Sequence, residues 1–346
     1  MKKSRKFLIV CLILGLIVIL FTGCSGSEKA SDKTTSKEVE SEENDDWPKE
    51  KITVIIPYAA GGTADTLARG LIPYWEKELG VPMVIENRQG ASTQVGATLF
   101  SKLPPDGNSI IISAQNYLSV NEIINNADYK VSDFAMINIQ QYDPVSVTVL
   151  EDSTYKTFDD LVKAIKENPG ELKWGTLYGG PLHIAGEILK DELGLDFKTV
   201  FYDGGNDMRT ALLGRHVDFI IGQANGDLAL KGKARVLAIN SKKRMPIWPD
   251  SPTFLEVLEK YNVEMPNLGV SRFIAVHAKL KETYPERFQK LVETYQKAFN
   301  NSEYQGYLEK SGEITVTEFN TPEESEKINQ EIHDTVLKYK DKIGKK

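Results

Sequence analysis

ITVIIPYAAGGTAD, residues 52–65, joins a strand pattern to a helix pattern through a glycine pair. Ile52 to Ile56 is an apolar, β-branched run of the length of a buried strand, and Pro57 ends it. Beyond Gly61 and Gly62, Leu67, Leu71, Trp75 and Leu79 recur every four residues, the mark of a helix with one apolar face. A strand entering a helix through glycines leaves backbone N–H groups free at the helix start, with no β-carbon to bar a small anion. The loop has neither the Gly-x-Gly-x-x-Gly of a dinucleotide site nor the Lys-Ser/Thr of a P-loop. It reads either as a cradle for a carboxylate or other small anion, or as a tight βα turn that binds nothing.

Upstream of this run the chain begins as an export leader. Lys2, Lys3, Arg5 and Lys6 precede the unbroken apolar stretch Phe7 to Phe21, and Thr22-Gly23-Cys24 supplies two small residues and a cysteine. Residues 1–23 therefore read as a signal peptide, with lipid attached at Cys24. An uncleaved membrane anchor is the alternative, although about 15 apolar residues fall short of the roughly 20 that a span requires. Residues 24–46 then form a tether rich in Ser, Lys and Glu, in which Ala30 and Val39 are the only apolar residues. That is too little apolar surface to offset the entropy of ordering. The expected location is extracytoplasmic, attached to the cell membrane by the lipid anchor.

Cys11 and Cys24 are the only cysteines, so the body carries no disulfide, no cysteine metal site and no thiol nucleophile. Neither a metal nor a cofactor is expected. The net charge of −7 argues against nucleic acid as a partner. It leaves room for an anionic ligand, because helix N-termini act locally.

From Lys51 onward apolar runs alternate with amphipathic stretches. Strands are expected at Lys51–Ile56, Met83–Asn87, Ser109–Ser113, Phe134–Ile139, Val145–Leu150, Lys173–Thr176, Lys198–Phe201, Phe219–Gln223, Val236–Asn240 and Arg272–Val276. Helices are expected at Ala64–Leu79, Thr93–Lys102, Ser119–Asn125, Thr157–Asn168, Leu182–Leu193, Asn206–Leu213, Thr253–Tyr261, Pro285–Asn300, Ser302–Lys310 and Pro322–Tyr339. Such alternation means a doubly wound α/β architecture, and about 300 residues favour two lobes over one core. Ligands of such sheets lie beyond the carboxyl ends of the strands. Candidate cleft residues there are Ser113, Gln115 and Asn116; Thr176, Tyr178, Gly179 and Gly180, followed by His183; Asp203 and Gly205; and Gln223.

Six motifs follow one another in a distinctive order: residues 52–65, Val84 to Ala91, Pro105-Asp106-Gly107, Pro181 to Glu187, Leu212 to Asp218 and Trp248 to Thr253. Together they resemble the receptors of tripartite tricarboxylate transporters, the Bug-type extracytoplasmic solute-binding proteins. The resemblance implies a type II periplasmic-binding-protein-like α/β fold, with two doubly wound lobes joined by a two-stranded hinge and a ligand cleft between them. On that pattern residues 47–143 plus 267–346 form lobe 1 and residues 144–266 lobe 2. The ligand would be a small organic carboxylate: a di- or tricarboxylate, an aromatic acid or an acidic amino acid. The partners would be membrane permease subunits, with the receptor itself a monomer. Tyr58, Gly61, Gly62, Thr63 and Asp65 would form one jaw, and Thr176, Tyr178, Gly179 and Gly180 the other. The second jaw departs from the family pattern, for Gly179-Gly180-Pro181-Leu182 stands where a run of serines is usual.

Single residues keep two readings. Asp65 is either a helix-start cap or a ligand contact that would favour an amine. His183 is a packed structural histidine or a ligand contact, and Phe273 lines the cleft or fills the core. Catalysis finds no support: the four histidines are scattered without a His-Glu-x-x-His, and residues 269–273 do not form a Gly-x-Ser-x-Gly elbow. The expected activity is capture and delivery of a carboxylate, not turnover. A same-fold protein serving another transporter or a sensor kinase, and a secreted hydrolase, are the alternatives.

Overall fold

The computed structural model of the chain describes residues 46–343. The signal peptide, Cys24 and all of the expected tether except Asp46 lie outside the described residues. In chain order the body runs β1 (Ile52–Ile56), α1 (Thr63–Leu79), β2 (Met83–Asn87), α2 (Gln94–Ser101), β3 (Ser109–Ala114), α3 (Gln115–Ile123) and β4 (Phe134–Leu150). It continues with α4 (Phe158–Glu167), β5 (Lys173–Leu177), α5 (Pro181–Leu193), β6 (Lys198–Tyr202), α6 (Gly205–Leu213), β7 (Phe219–Gln223), β8 (Ala234–Ile239) and α7 (Phe254–Leu258). It ends with β9 (Gly269–His277), α8 (Leu280–Thr283), α9 (Pro285–Phe299), α10 (Ser302–Ser311) and α11 (Pro322–Ile343).

The strands are ordered β2-β1-β3-β9-β4-β7-β5-β6, with β8 also on β4. Pairing is parallel for β1 with β2 and β3, and for β5 with β6 and β7. It is antiparallel wherever β4 or β9 takes part. Each parallel group follows from the βαβ rhythm of the sequence, because parallel neighbours need a crossover helix.

β4 decides the layout. Residues 134–144 pair with β9, and from Val145 onward the same strand pairs with β7 and β8. The sequence pattern predicts two separate strands here, broken by the polar residues Gln140 to Pro144. The chain instead runs straight through, because Gln140, Gln141 and Asp143 are buried and individually satisfied, while the half-buried Tyr142 bonds Asn267. Gln140 bonds the hydroxyls of Tyr295 and Tyr304, Gln141 bonds Glu313 and Thr317, and Asp143 accepts from the N–H groups of Asn225 and Gly226. A fully paired polar segment can therefore cross the interior as strand. The chain crosses back close by, where Val145 N donates to Leu268 O at 3.1 Å.

Apolar packing falls on both sides of this crossing. Trp75, Leu71, Tyr295 and Tyr304 fill one core beside β1 and β3, while Trp174, Phe219, Leu182 and Leu212 fill another beside β5 and β7. α11 spans them: Glu326 accepts from Met136 N, and Val336 and Ile343 join the second core. Local rules hold at the helix ends. Thr157 and Asp160 form a reciprocal capping box at α4, and α1 ends on Gly80 in the left-handed region at φ 78°.

Candidate functional site

Loops from both groups of strands surround one cavity of about 630 Å³. Pro57 to Ala60 and Gly62 to Ala64 line it from the β1–α1 connection, Gln89 to Thr93 from the β2–α2 connection. Leu177 and Tyr178 after β5, and Tyr202 to Asp207 at the start of α6, line the opposite side. Its inner wall holds Ala114, Tyr117, Arg209, Gln223, Val270 and Arg272. Across the mouth, Asn206 Nδ2 donates to Gly61 O at 3.3 Å, so the two sides touch.

The glycine amides of the first loop serve the loop itself. Gly61 N donates to Asp65 Oδ2 at 2.8 Å and Gly62 N to Ala59 O at 3.2 Å. Free donors lie one step further on, in the first turn of α1, where no intrahelical acceptor exists. Asp65 faces away from the cavity. Besides Gly61 it accepts from Arg69 Nε at 2.8 Å and from Asn87 Nδ2 at 3.1 Å. Burial pushes its pKa up, but the bonds from Arg69, Gly61 and Asn87 outweigh this and hold the carboxyl below its ordinary range. It is a brace for the loop.

Of the expected site residues, Tyr58, Gly62, Thr63, Tyr178, Asp203, Gly205 and Gln223 line the cavity. Gly61, Thr176, Gly179 and Gly180 do not: Thr176 is fully buried in β5, and α3 covers the loop that holds the two later glycines. A β-carbon on Gly179 would lie 2.7 Å from Val120 Cγ1, and one on Gly180 2.8 Å from the Tyr117 hydroxyl. His183 sits behind the loop among the rings of Trp174, Tyr178 and Phe201, and its Nδ1 accepts from Gly179 N at 3.3 Å. Gln115 and Asn116 belong to α3, which starts four residues before the expected Ser119. Gln115 points at α11 and bonds Asn329, while Asn116 Oδ1 holds Ser271 N at 3.0 Å. Ser113 is buried beneath the cavity, and Phe273 is fully enclosed with Ile55, Ile111 and Ala275.

The structure adds residues that the sequence does not single out. Arg209, only 5% exposed, gives Nε to Asp227 Oδ1 at 2.9 Å and keeps its Nη2 buried without a partner. Asp227 is fully buried and also accepts from Ser146 and Thr148. Arg272 gives Nη2 to Gln223 Oε1 at 2.6 Å and Nη1 to Gln141 Oε1 at 3.3 Å, with Asp143 Oδ2 at 3.9 Å. The two guanidinium groups line the cavity, and the two aspartates stand behind them. Near Arg272, the Tyr117 hydroxyl is buried without a hydrogen-bond partner and the Tyr58 hydroxyl is buried next to Ser113. Burial pushes the Tyr58 phenol up to about 12 and the Tyr117 phenol higher, so both remain O–H donors. An arginine inside a helical apolar pattern reads as surface charge, so nothing in the sequence marks Arg209.

The β2–α2 loop is strained. Ala91, Ser92 and Thr93 have φ of 45°, 49° and 79°, three non-glycine residues in succession in the left-handed region. Each costs about 1–2 kcal/mol there. Asn121 of α3 holds the loop by donating to Ser92 O at 2.9 Å. Ala91 and Ser92 have exposed side chains, so changing both to glycine removes strain and little else. The double variant should unfold at higher urea concentration, more stable by about 1 kcal/mol after allowing for glycine's extra freedom in the unfolded chain. An unchanged or lower midpoint would show that the loop carries no such strain.

Among the described residues no group of three or more His, Cys, Asp or Glu could hold a metal, and no helix is long and apolar enough to cross a membrane. Two α/β groups meeting over a loop-lined cavity define the architecture of a periplasmic binding protein. The sequence pattern described as the tripartite tricarboxylate transporter family receptor matches residues 67–346, and the chain belongs to that family of solute-binding receptors. A UPF0065 protein of Agrobacterium vitis is 30% identical over 213 residues, 60% of this chain and 62% of that protein. The periplasmic binding protein BugD superposes with a TM-score of 0.73 at 24% identity, covering 86% of this chain and 98% of BugD. An R. palustris protein with adipate superposes at 0.76 with 23% identity, covering 86% of this chain and 99% of that one.

Proposed function

We propose that this chain is an extracytoplasmic receptor, anchored by lipid at Cys24, that captures a small organic carboxylate and delivers it to a tripartite tricarboxylate-type membrane permease. One observation carries the ligand class. The cavity is lined by the first turns of α1 and α6 and by two buried guanidinium groups whose counter-charges lie behind them. Helix N-termini and guanidinium groups both favour a carboxylate, the second bidentately. The adipate held by an R. palustris protein of this fold agrees with that chemistry. No amine is called for, since Asp65 is already fully engaged.

The working motion is closure without bond chemistry. Residues 47–143 plus 267–346 move as one lobe and 144–266 as the other. They hinge where β4 changes partners at Pro144–Val145 and where the chain returns at Leu268. The Asn206–Gly61 bond ties the lobes in the closed form. A carboxylate that reaches donors on both sides binds the closed form better, and that difference drives the equilibrium.

The test is a thermal-shift screen of the purified full-length chain against adipate, malate, citrate and hexanoate. A ligand of the native state raises Tm with the logarithm of its concentration. Gly62→Val, which places a branched side chain in the cavity lining, should abolish any such rise. A panel of organic acids that leaves Tm unmoved would overturn the receptor reading.

A further inference from the structure

We infer that Arg209 receives one carboxylate of the ligand and makes a dicarboxylate, not a monocarboxylate, the preferred cargo; the inference rests on the receptor reading above and names its ligand class. The inner wall offers two arginines, and they differ in spare capacity. Arg272 is committed: one terminal nitrogen is bonded to Gln223 and the other to Gln141. Its carboxylate neighbour Asp143 is itself held by two backbone N–H groups. Arg272 fastens β9 to β4 and β7 across the hinge.

Arg209 is fastened only through Nε. Asp227 holds that nitrogen, and Ser146 and Thr148 both donate to Asp227 Oδ2, so the carboxylate cannot swing round to the remaining fork. Nη2 is left buried with no acceptor. An unpaired buried donor is costly, and a charged one more so. Nη1, beside the cavity-lining Gly205, is the terminal nitrogen on the cavity side, and an anion that meets the guanidinium there offsets part of that cost.

The surroundings are shaped to the guanidinium. A β-carbon on Gly226 would lie 2.0 Å from Nη2, and one on Gly205 2.8 Å from Nη1. The fork thus lies in a slot between two glycines, at the start of α6 and just after β7. Tyr58 and Tyr117 line the same cavity with their hydroxyls buried, that of Tyr117 without a partner and that of Tyr58 next to Ser113. Asp203 and Asp207 also line it, but they are exposed, where water and salt screen them. A first carboxylate on the α1 side leaves this inner wall unanswered. A second carboxylate on the same molecule answers it, and a monocarboxylate cannot.

The experiment compares adipate with hexanoate, which has the same chain length and one carboxylate fewer, by isothermal titration of the full-length chain. Wild type should bind adipate at least tenfold more tightly. Arg209→Met combined with Asp227→Asn, which strands no buried charge, should lose about 30-fold in adipate affinity while hexanoate stays within about threefold, as expected for a hydrogen bond to a charged group. Arg209→Lys, with Asp227 intact, keeps the charge but not the fork and should fall between. It decides the same question if the double variant does not fold. Equal binding of the two acids by wild type, or undiminished adipate binding by the variants, overturns the role of Arg209 and leaves the receptor reading standing. No binding of either acid, nor of malate or citrate, brings down both.

Discussion

Asp227→Ala should destabilise the protein by about 3–5 kcal/mol, the loss typical when one partner of a buried ion pair is removed. Asp227 is fully buried and satisfies three donors: Arg209 Nε, Ser146 Oγ and Thr148 Oγ1. Alanine strips all three at once and leaves a guanidinium, 5% exposed, with no carboxylate in contact. The two hydroxyls belong to β4 just past its change of partners, so the damage falls on the part of the sheet that shapes the inner wall. Urea unfolding reads the loss directly. Arg209→Met added to Asp227→Asn should recover most of it, because removing both charges costs far less than stranding one. A loss under 1 kcal/mol for the single variant would mean that water already reaches Arg209. In that case its fork would not be held in reserve for a ligand.

Much of this architecture is visible in the sequence, for identifiable reasons. β2 and β7 fall on the expected residues because apolar β-branched runs bounded by turn residues admit one reading. α1 does so to within one residue, because seven buried side chains repeat along one face, together with Asp65. Legibility fails where polar residues are buried. Gln140 to Asp143 read as a loop and are strand, since their partners come from residues more than 80 positions away. The start of α3 is hidden because Ser113-Ala114-Gln115-Asn116 has the composition of a strand-end loop. Gln115 opens α3, and its side chain is held by Asn329 of α11, a partner 214 positions away that the local sequence does not show. Gly62 lines the cavity and Gly61 O meets Asn206 at its mouth, but the two amides are spent on Ala59 and Asp65. Arg209 is invisible for the same reason as Gln140: its significance lies in Asp227, 18 residues on, and in two glycines that make room for it.

Acid should loosen the protein through His183. The ring is buried, and burial together with the nearby Lys190 charge lowers its pKa from the ordinary 6.5 to about 4. Glu187 Oε1, 3.8 Å from Nε2, does not reverse this. The neutral ring does a specific job, because Nδ1 accepts from Gly179 N and so must be unprotonated to hold the loop after β5. The unfolded chain takes up a proton near 6.5 and the folded chain only near 4, so between those values the unfolded state binds more protons. Stability from this group is whole above pH 6.5 and declines as pH falls toward 4, by on the order of 3 kcal/mol. Asp143 and Glu313, whose carboxyls burial pushes up, act with the opposite sign. The informative quantity is therefore the difference between wild type and His183→Asn, which keeps an acceptor for Gly179 but cannot titrate. Urea midpoints measured from about pH 4 to 7.5 should converge toward the acid end as wild type loses its advantage. Parallel curves across that range would show that His183 is protonated in the folded state as readily as in water, and that the loop after β5 is held by something other than its ring.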